Sequence, residues 1–131
     1  MNILNLTQHN LTTDQYLAGA FEPMSEKENI KELLTFFDDD MDDASAVIAE
    51  RSRELALLAD FEMTNMGLCF EEKFALIGGA PFLMAPLERE LKKLGIEPLY
   101  AFSERESVEK IINGKTVKTS VFSFKRWIPA S

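Results

Sequence analysis

Residues 73–103, KFALIGGAPFLMAPLERELKKLGIEPLYAFS, decide the fold. The first seven, KFALIGG, are a continuous apolar run ending in two glycines. A short apolar run bounded by turn residues reads as a strand buried on both faces. The next stretch puts Leu83, Leu87, Leu91 and Leu94 on one helical stripe, closed by Gly95. Pro86 sits tolerably only within the first turn of a helix, so the regular helix is expected to start as late as Ala85. IEPLYAFS (96–103) is again a buried strand. Strand, helix and strand in this order form a βαβ unit with parallel strands and a right-handed crossover.

Downstream of this unit the pattern changes after SERES (103–107), read as a loop. VEKII and KTVKTSVFSF then flank Asn113-Gly114, a strong signal for a two-residue hairpin with a type I′ turn. Upstream, NILNLT (2–7) reads as a short apolar strand. Thr12-Thr13-Asp14-Gln15 fits a capping box opening a helix over 13–18, which Gly19 ends. An extended piece at Ala20–Glu22 stops at Pro23. Ser25-Glu26-Lys27-Glu28 reads as a second capping box, followed by the helical stripe Ile30, Leu33, Leu34 and Phe37. The acidic run DDDMDD (38–43) lacks the central glycine and terminal glutamate of a calcium loop. It reads instead as negative charge at the start of a helix over 44–60, with Val47, Ile48, Arg51, Leu55 and Leu58 at 3–4 spacing. Residues 61–73, FEMTNMGLCFEEK, lack periodicity and read as a loop with apolar anchors. The fold expected is a single α/β domain over 1–131, three-layered, with a mainly parallel sheet and a C-terminal antiparallel hairpin. Strands 2–7, 73–77 and 97–102 should be neighbours.

The net charge is −8, with 14 basic against 22 acidic residues. A protein that grips long nucleic acid displaces counterions with Lys and Arg, so a long duplex partner is not expected. A small anionic ligand is compatible, because a pocket can be locally positive on an acidic protein. No apolar run approaches a membrane span, and MNILNLTQHN carries no basic leader region. The expectation is a cytoplasmic protein without membrane contact. The single cysteine, Cys69, fits a reducing compartment.

In open parallel sheets, ligands bind at the C-terminal ends of strands. Three such ends are expected here: Thr7-Gln8-His9-Asn10, Gly78-Gly79-Ala80 and Ser103-Glu104-Arg105. Two glycines let a backbone approach closely, and a following helix start offers N–H groups to an anion. The same pair also serves a plain tight turn. His9 is the only histidine, so with one cysteine no ordinary zinc site can be assembled, and neither metal nor cofactor is expected. The imidazole is a hydrogen-bonding loop group, a ligand contact or a general acid/base. Arg105 suits bidentate phosphate contact, or else a surface pair with Glu104 or Glu106. Lys115, Lys118, Lys125 and Arg126 make the hairpin the basic stretch of the chain, a pattern that also protects an edge strand.

At these residues the chain resembles a known family. NLTQHNLTTDQ (5–15) is similar to the N/F-x-S/T-H-x-L-T-x-x-Q opening of small stand-alone CRISPR-associated proteins. These are related to the CARF sensors (CRISPR-associated Rossmann-fold) and grouped with ring nucleases. LGIEPLYAFSERESVEKIINGKTVKTSVF (94–122) resembles their C-terminal half, where G-x-x-P-x-Y-A-x-x-x-R precedes G-K-x-x-K-T-S-V-F. The resemblance covers both ends of the chain and leaves 20–72 unmatched. It implies a Rossmann-like homodimer that binds cyclic oligoadenylate at its two-fold axis. Some members cleave that ring without metal, by attack of a ribose 2′-OH on the adjacent phosphate. Carried over, His9 and Arg105 would be catalytic. Thr7, Gln8, Gly78, Gly79, Ser103, Lys118 and Thr119 would be ligand-binding. The competing reading is a non-enzymatic α/β module whose hairpin edge mediates homodimeric binding or assembly.

Overall fold

The computed structural model describes residues 1–35, 37–38, 43–68 and 72–130. Most of the acidic run, residues 39–42, and Cys69 lie outside the described residues. The chain order is β1 (Ile3–Leu6), α1 (Thr13–Leu17), β2 (Ala20–Phe21), α2 (Lys27–Thr35), α3 (Ala44–Asn65), β3 (Lys73–Ile77), α4 (Pro81–Lys93), β4 (Ile96–Ile112) and β5 (Lys115–Pro129). The strands form one sheet in the order β2-β1-β3-β4-β5. The first four strands are parallel, and β5 runs antiparallel to β4. The three expected neighbours therefore do lie side by side, in a mainly parallel, Rossmann-like sheet.

Strand order explains the layers. From β1 the chain steps one way to β2, then crosses back over β1 to β3 and continues to β4. Right-handed crossovers in opposite directions put their connections on opposite faces. Leu4, Leu6, Ala75, Ile77 and Ile96 accordingly pack under α2, α3 and α4, with Leu55, Ala59, Met63, Leu83, Leu87 and Leu91. On the other face Ile3, Leu76 and Leu99 meet Leu11, Ala20, Phe74 and Trp127. That layer is thin: α1 has five residues and buries none. The Trp127 indole N–H closes it by donating to the Ala18 carbonyl at 3.1 Å.

Four local expectations are corrected. α3 does not stop at residue 60 but runs to Asn65, so the first part of the expected loop is helix. Its buried stripe is Ser52, Leu55, Ala56, Ala59, Glu62 and Met63. A charged residue on that stripe hid the period. Glu62 also displaces the second capping box: its carboxylate accepts the N–H groups of Met24 (2.7 Å), Ser25 (3.0 Å) and Glu26 (2.8 Å) and the Ser25 hydroxyl. α4 begins at Pro81, not near Ala85, and Pro86 lies inside it. The partner Pro86 denies is the carbonyl of Phe82, a half-exposed residue of the first turn. Finally, SERES is not a loop. β4 is one strand of 17 residues, paired with β5 as far as Ile112–Lys115. Its distal half buries neither face, so it shows no alternation to read.

The expected caps elsewhere hold. Thr12 and Gln15 form the reciprocal capping box of α1. Asp43, the last of the acidic run, accepts the Ala46 N–H at 3.1 Å and caps α3. The hairpin turn has φ of 53° at Asn113 and 76° at Gly114, as a type I′ turn demands. Among the described residues no helix is long and apolar enough to cross a membrane.

Candidate functional site

Strand order reverses between β1 and β3, and in open α/β sheets a ligand crevice opens beside such a reversal, outside the C-terminal strand ends. Two of the three expected strand ends flank it. Thr7-Gln8-His9-Asn10 leaves β1, and Gly78-Gly79-Ala80 leaves β3. A Cβ added to Gly78 would lie 3.7 Å from the Thr7 methyl, so the two loops touch. Gly79 has φ +143°, open to glycine and strained for other residues.

Much of the polar crowd after β1 is spent on holding the loop. The buried Asn5 amide donates to the His9 carbonyl at 2.7 Å and to Glu22. Its oxygen accepts the Thr7 N–H at 3.1 Å and the Thr7 hydroxyl at 2.7 Å. The Lys27 ammonium at the start of α2 pairs with Glu22 and donates to Asn10 at 2.8 Å. The network ties the ends of β1 and β2 to α2. Gln8 and His9 remain exposed, and among the described residues their side chains have no hydrogen-bond partner.

Across the crevice, α4 starts without a side-chain cap. By contrast, Thr12 on α1 and Asp43 on α3 each accept an N–H of the first turn, while Glu62 holds the N–H groups of Met24, Ser25 and Glu26 just ahead of α2. Above α4, the Phe82 ring meets Phe37 edge-on at 5.0 Å. The Arg51 guanidinium lies 4.3 Å over that same Phe37 ring and donates to the Leu33 carbonyl at 3.2 Å. Arg51 forms no ion pair among the described residues. It is the site residue that the sequence reading passed over. The available signal was a cation at a core-facing position of the Val47–Leu58 stripe.

The remaining candidates lie on the arm formed by β4 and β5. Leu76 of β3 is level with Leu99, so Ser103 lies beyond the end of β3. From Tyr100, level with Ile77, it is three residues out, or about 10 Å at strand rise. Arg105 is two residues further, with its guanidinium 5.2 Å from the Phe122 ring. Lys118 stands opposite Glu109, and the Thr119 hydroxyl donates to the Val108 carbonyl at 3.5 Å. Cross-strand partners share a face, so Ser103, Arg105 and Lys118 lie on one face of the arm and Thr119 on the other. Within one chain, then, Thr7, His9, Gly78 and Gly79 lie together beside the strand reversal, while the arm carries Ser103, Arg105, Lys118 and Thr119. At the arm's base Lys125 pairs with Glu106, which holds the ammonium above its ordinary pKa. Among the described residues no three His, Cys, Asp or Glu side chains cluster as metal ligands.

The chain belongs to the Uncharacterized protein MJ1673 family, whose model it matches over residues 1–128. The match therefore spans body and arm together. No curated protein and no solved structure matches the chain.

Proposed function

We propose that the crevice between the ends of β1 and β3 binds a small anionic ligand, and that this ligand is a cyclic oligoadenylate. The observation that carries the anionic part is the reversal of strand order there, with an uncapped helix start on one wall. Arg51 supplies positive charge close to that wall, and the Gly78-Gly79 backbone allows a phosphate to approach. The cyclic oligoadenylate part comes from the resemblance of both chain ends to CARF-related proteins. His9, exposed on the opposite wall, is the candidate acid or base for ring cleavage, in which a ribose 2′-OH attacks the adjacent phosphate. Arg105 and Lys118 join such a site only if a second copy brings its arm over the crevice.

The test is to incubate the purified protein with cyclic tetra- and hexa-adenylate without metal, measuring binding by calorimetry and products by chromatography. Arg51→Ala should weaken binding by about 1.5–3 kcal/mol, the usual worth of a hydrogen bond to a charged group. His9→Ala should slow cleavage more than it weakens binding. No binding of either ring retires the reading, and binding without turnover leaves a sensor or a sponge. A second reading, a homodimeric assembly module without catalysis, is favoured by the exposed arm.

A further inference from the structure

Beyond Phe102 the arm touches little but itself. Of residues 101–122, all but Val108 and Thr119 are exposed. Ten residues of each strand project past the sheet, about 33 Å at strand rise. An isolated two-stranded ribbon is marginal in water, and its unpaired edges invite a partner. This one also carries apolar side chains into solvent: Ile111 is 80% exposed, Phe122 71% and Ile112 50%. Such a surface is an interface awaiting its other half.

Charge says what the other half is. Residues 103–126 hold six bases and three acids, a net +3. The rest of the chain then holds eight bases and nineteen acids, a net −11. The arm is thus complementary to the body of another copy. The body also offers a seat of matching chemistry. Between α2 and α3 lies a cleft of about 380 Å³, lined by Glu26, Asn29, Glu54, Leu57, Leu58 and Phe61. Its floor is apolar and half open, with Leu57 53% and Phe61 48% exposed, and glutamates stand at its rim. The arm tip, Lys110-Ile111-Ile112-Asn113-Gly114-Lys115, is two apolar residues and a tight turn between two lysines.

We propose that the tip of the β4–β5 arm docks in the α2–α3 cleft of a second copy of this chain. Ile112 covers Leu57 and Phe61, and Lys110 and Lys115, which share its face, meet Glu26 and Glu54. A return contact by the second arm closes an isologous dimer, and two linked contacts bind far more tightly than one. Nucleic acid is the weaker match for the same arm, because Glu104, Glu106 and Glu109 run along β4 and repel phosphate. The proposal rests on the assembly reading and not on the ligand crevice.

The experiment is sedimentation equilibrium of the full chain and a set of charge exchanges, with circular dichroism melting to show that each variant folds. Wild type is expected to be a dimer that weakens as salt rises. Lys110→Glu/Lys115→Glu and Glu26→Lys/Glu54→Lys should each raise the dimer Kd at least about 10-fold, as reversed charge pairs do. The two pairs combined in one chain should bring it back to within about threefold of wild type. Leu57→Asp, which keeps the charges at the rim, should also give monomers. A dimer indifferent to all of these overturns the arm-in-cleft contact while assembly stands. A monomer at high micromolar concentration overturns both. Tight binding of a fluorescent 20-nucleotide RNA by a monomer, lost in Lys110→Glu/Lys115→Glu, would assign the arm to nucleic acid and overturn the proposal.

Discussion

The body and the arm are held together by different forces. In the body, Leu4, Leu6, Leu55, Leu83, Leu87 and Leu91 are wholly buried around one core. In the arm, the antiparallel ladder from Ser103–Phe124 to Ile112–Lys115 and the turn at Asn113-Gly114 carry the structure almost alone. Removal of apolar surface from water dominates in the first, and backbone pairing with turn chemistry in the second. A body element is therefore stable because of what lies beside it. The arm is ordered only to the degree that its own strands and a partner hold it.

The sharpest way to break this contrast is to delete the same kind of group in both regions. Leu87→Ala should cost about 2–5 kcal/mol in urea unfolding, the price of a buried cavity. Ile111→Ala at concentrations that keep the chain monomeric should change stability by no more than about 0.5 kcal/mol. Equal losses would mean that the arm folds back on its own body.

Glu62 tests whether the body also depends on a polar clamp. Burial alone would raise its pKa, but the three N–H groups of Met24, Ser25 and Glu26 and the Ser25 hydroxyl outweigh it and hold the carboxyl below its ordinary value of 4.5. Glu62→Ala leaves those donors without an acceptor and should cost about 2–3 kcal/mol. Because the folded pKa is lowered, the contribution is present above the unfolded pKa and is lost as pH falls through the folded one. Wild-type stability should therefore drop below about pH 4.5 more steeply than that of Glu62→Gln.

Smaller effects sharpen the comparison from the arm's side. Gly114→Ala forces a side chain onto φ 76° and should cost about 1 kcal/mol. Hydrogen exchange should show that loss in the amides of 104–112 and 115–123, with protection of the core strands unchanged. Where the ribbon joins the body, Tyr100→Phe removes the 2.8 Å hydrogen bond to Glu88 on α4 and should cost a similar amount, about 1 kcal/mol. Burial and the neighbouring carboxylate push the Tyr100 phenol up to about 12, so ultraviolet titration should find it un-ionised at pH 10.5.

The regions also differ in how far they could be read from the chain. The βαβ unit, the Thr12–Gln15 box and the Asn113-Gly114 turn are local signals, and each matched its element. Where a residue's partners lie far away in sequence, local reading failed. Glu62 acts 36–38 positions from its donors, so it looked like a break in a helix instead of the clamp of another. The arm's inner half has no buried face, so β4 looked finished at Ser103. Thr7, His9, Gly78 and Gly79 could be placed at one edge because a rule about strand ends covers them. Arg105 and Lys118 could not, since their strand has no end there. Arg51 needed the Phe37–Phe82 contact before its position near α4 meant anything.

The bulge where arm meets body has a consequence for how this chain can change length. Lys125 is the extra residue of β5: Phe102 faces Arg126 and Ser103 faces Phe124. In a regular strand, Phe124 and Trp127, three apart, would point to opposite sides. The extra residue shifts the phase of β5 by one, so the two rings share a side and meet at 4.6 Å. Past that point every β5 side chain inherits the shift. Loss of Lys125 would leave Phe124 opposite Ser103 in a regular ladder, whereas a single residue inserted in one strand of the ribbon would need a second bulge to keep the outer side chains on their sides. Paired insertions, one residue in each strand beside the turn, would only lengthen it. The arm is thus free to vary in reach as long as its two strands change together.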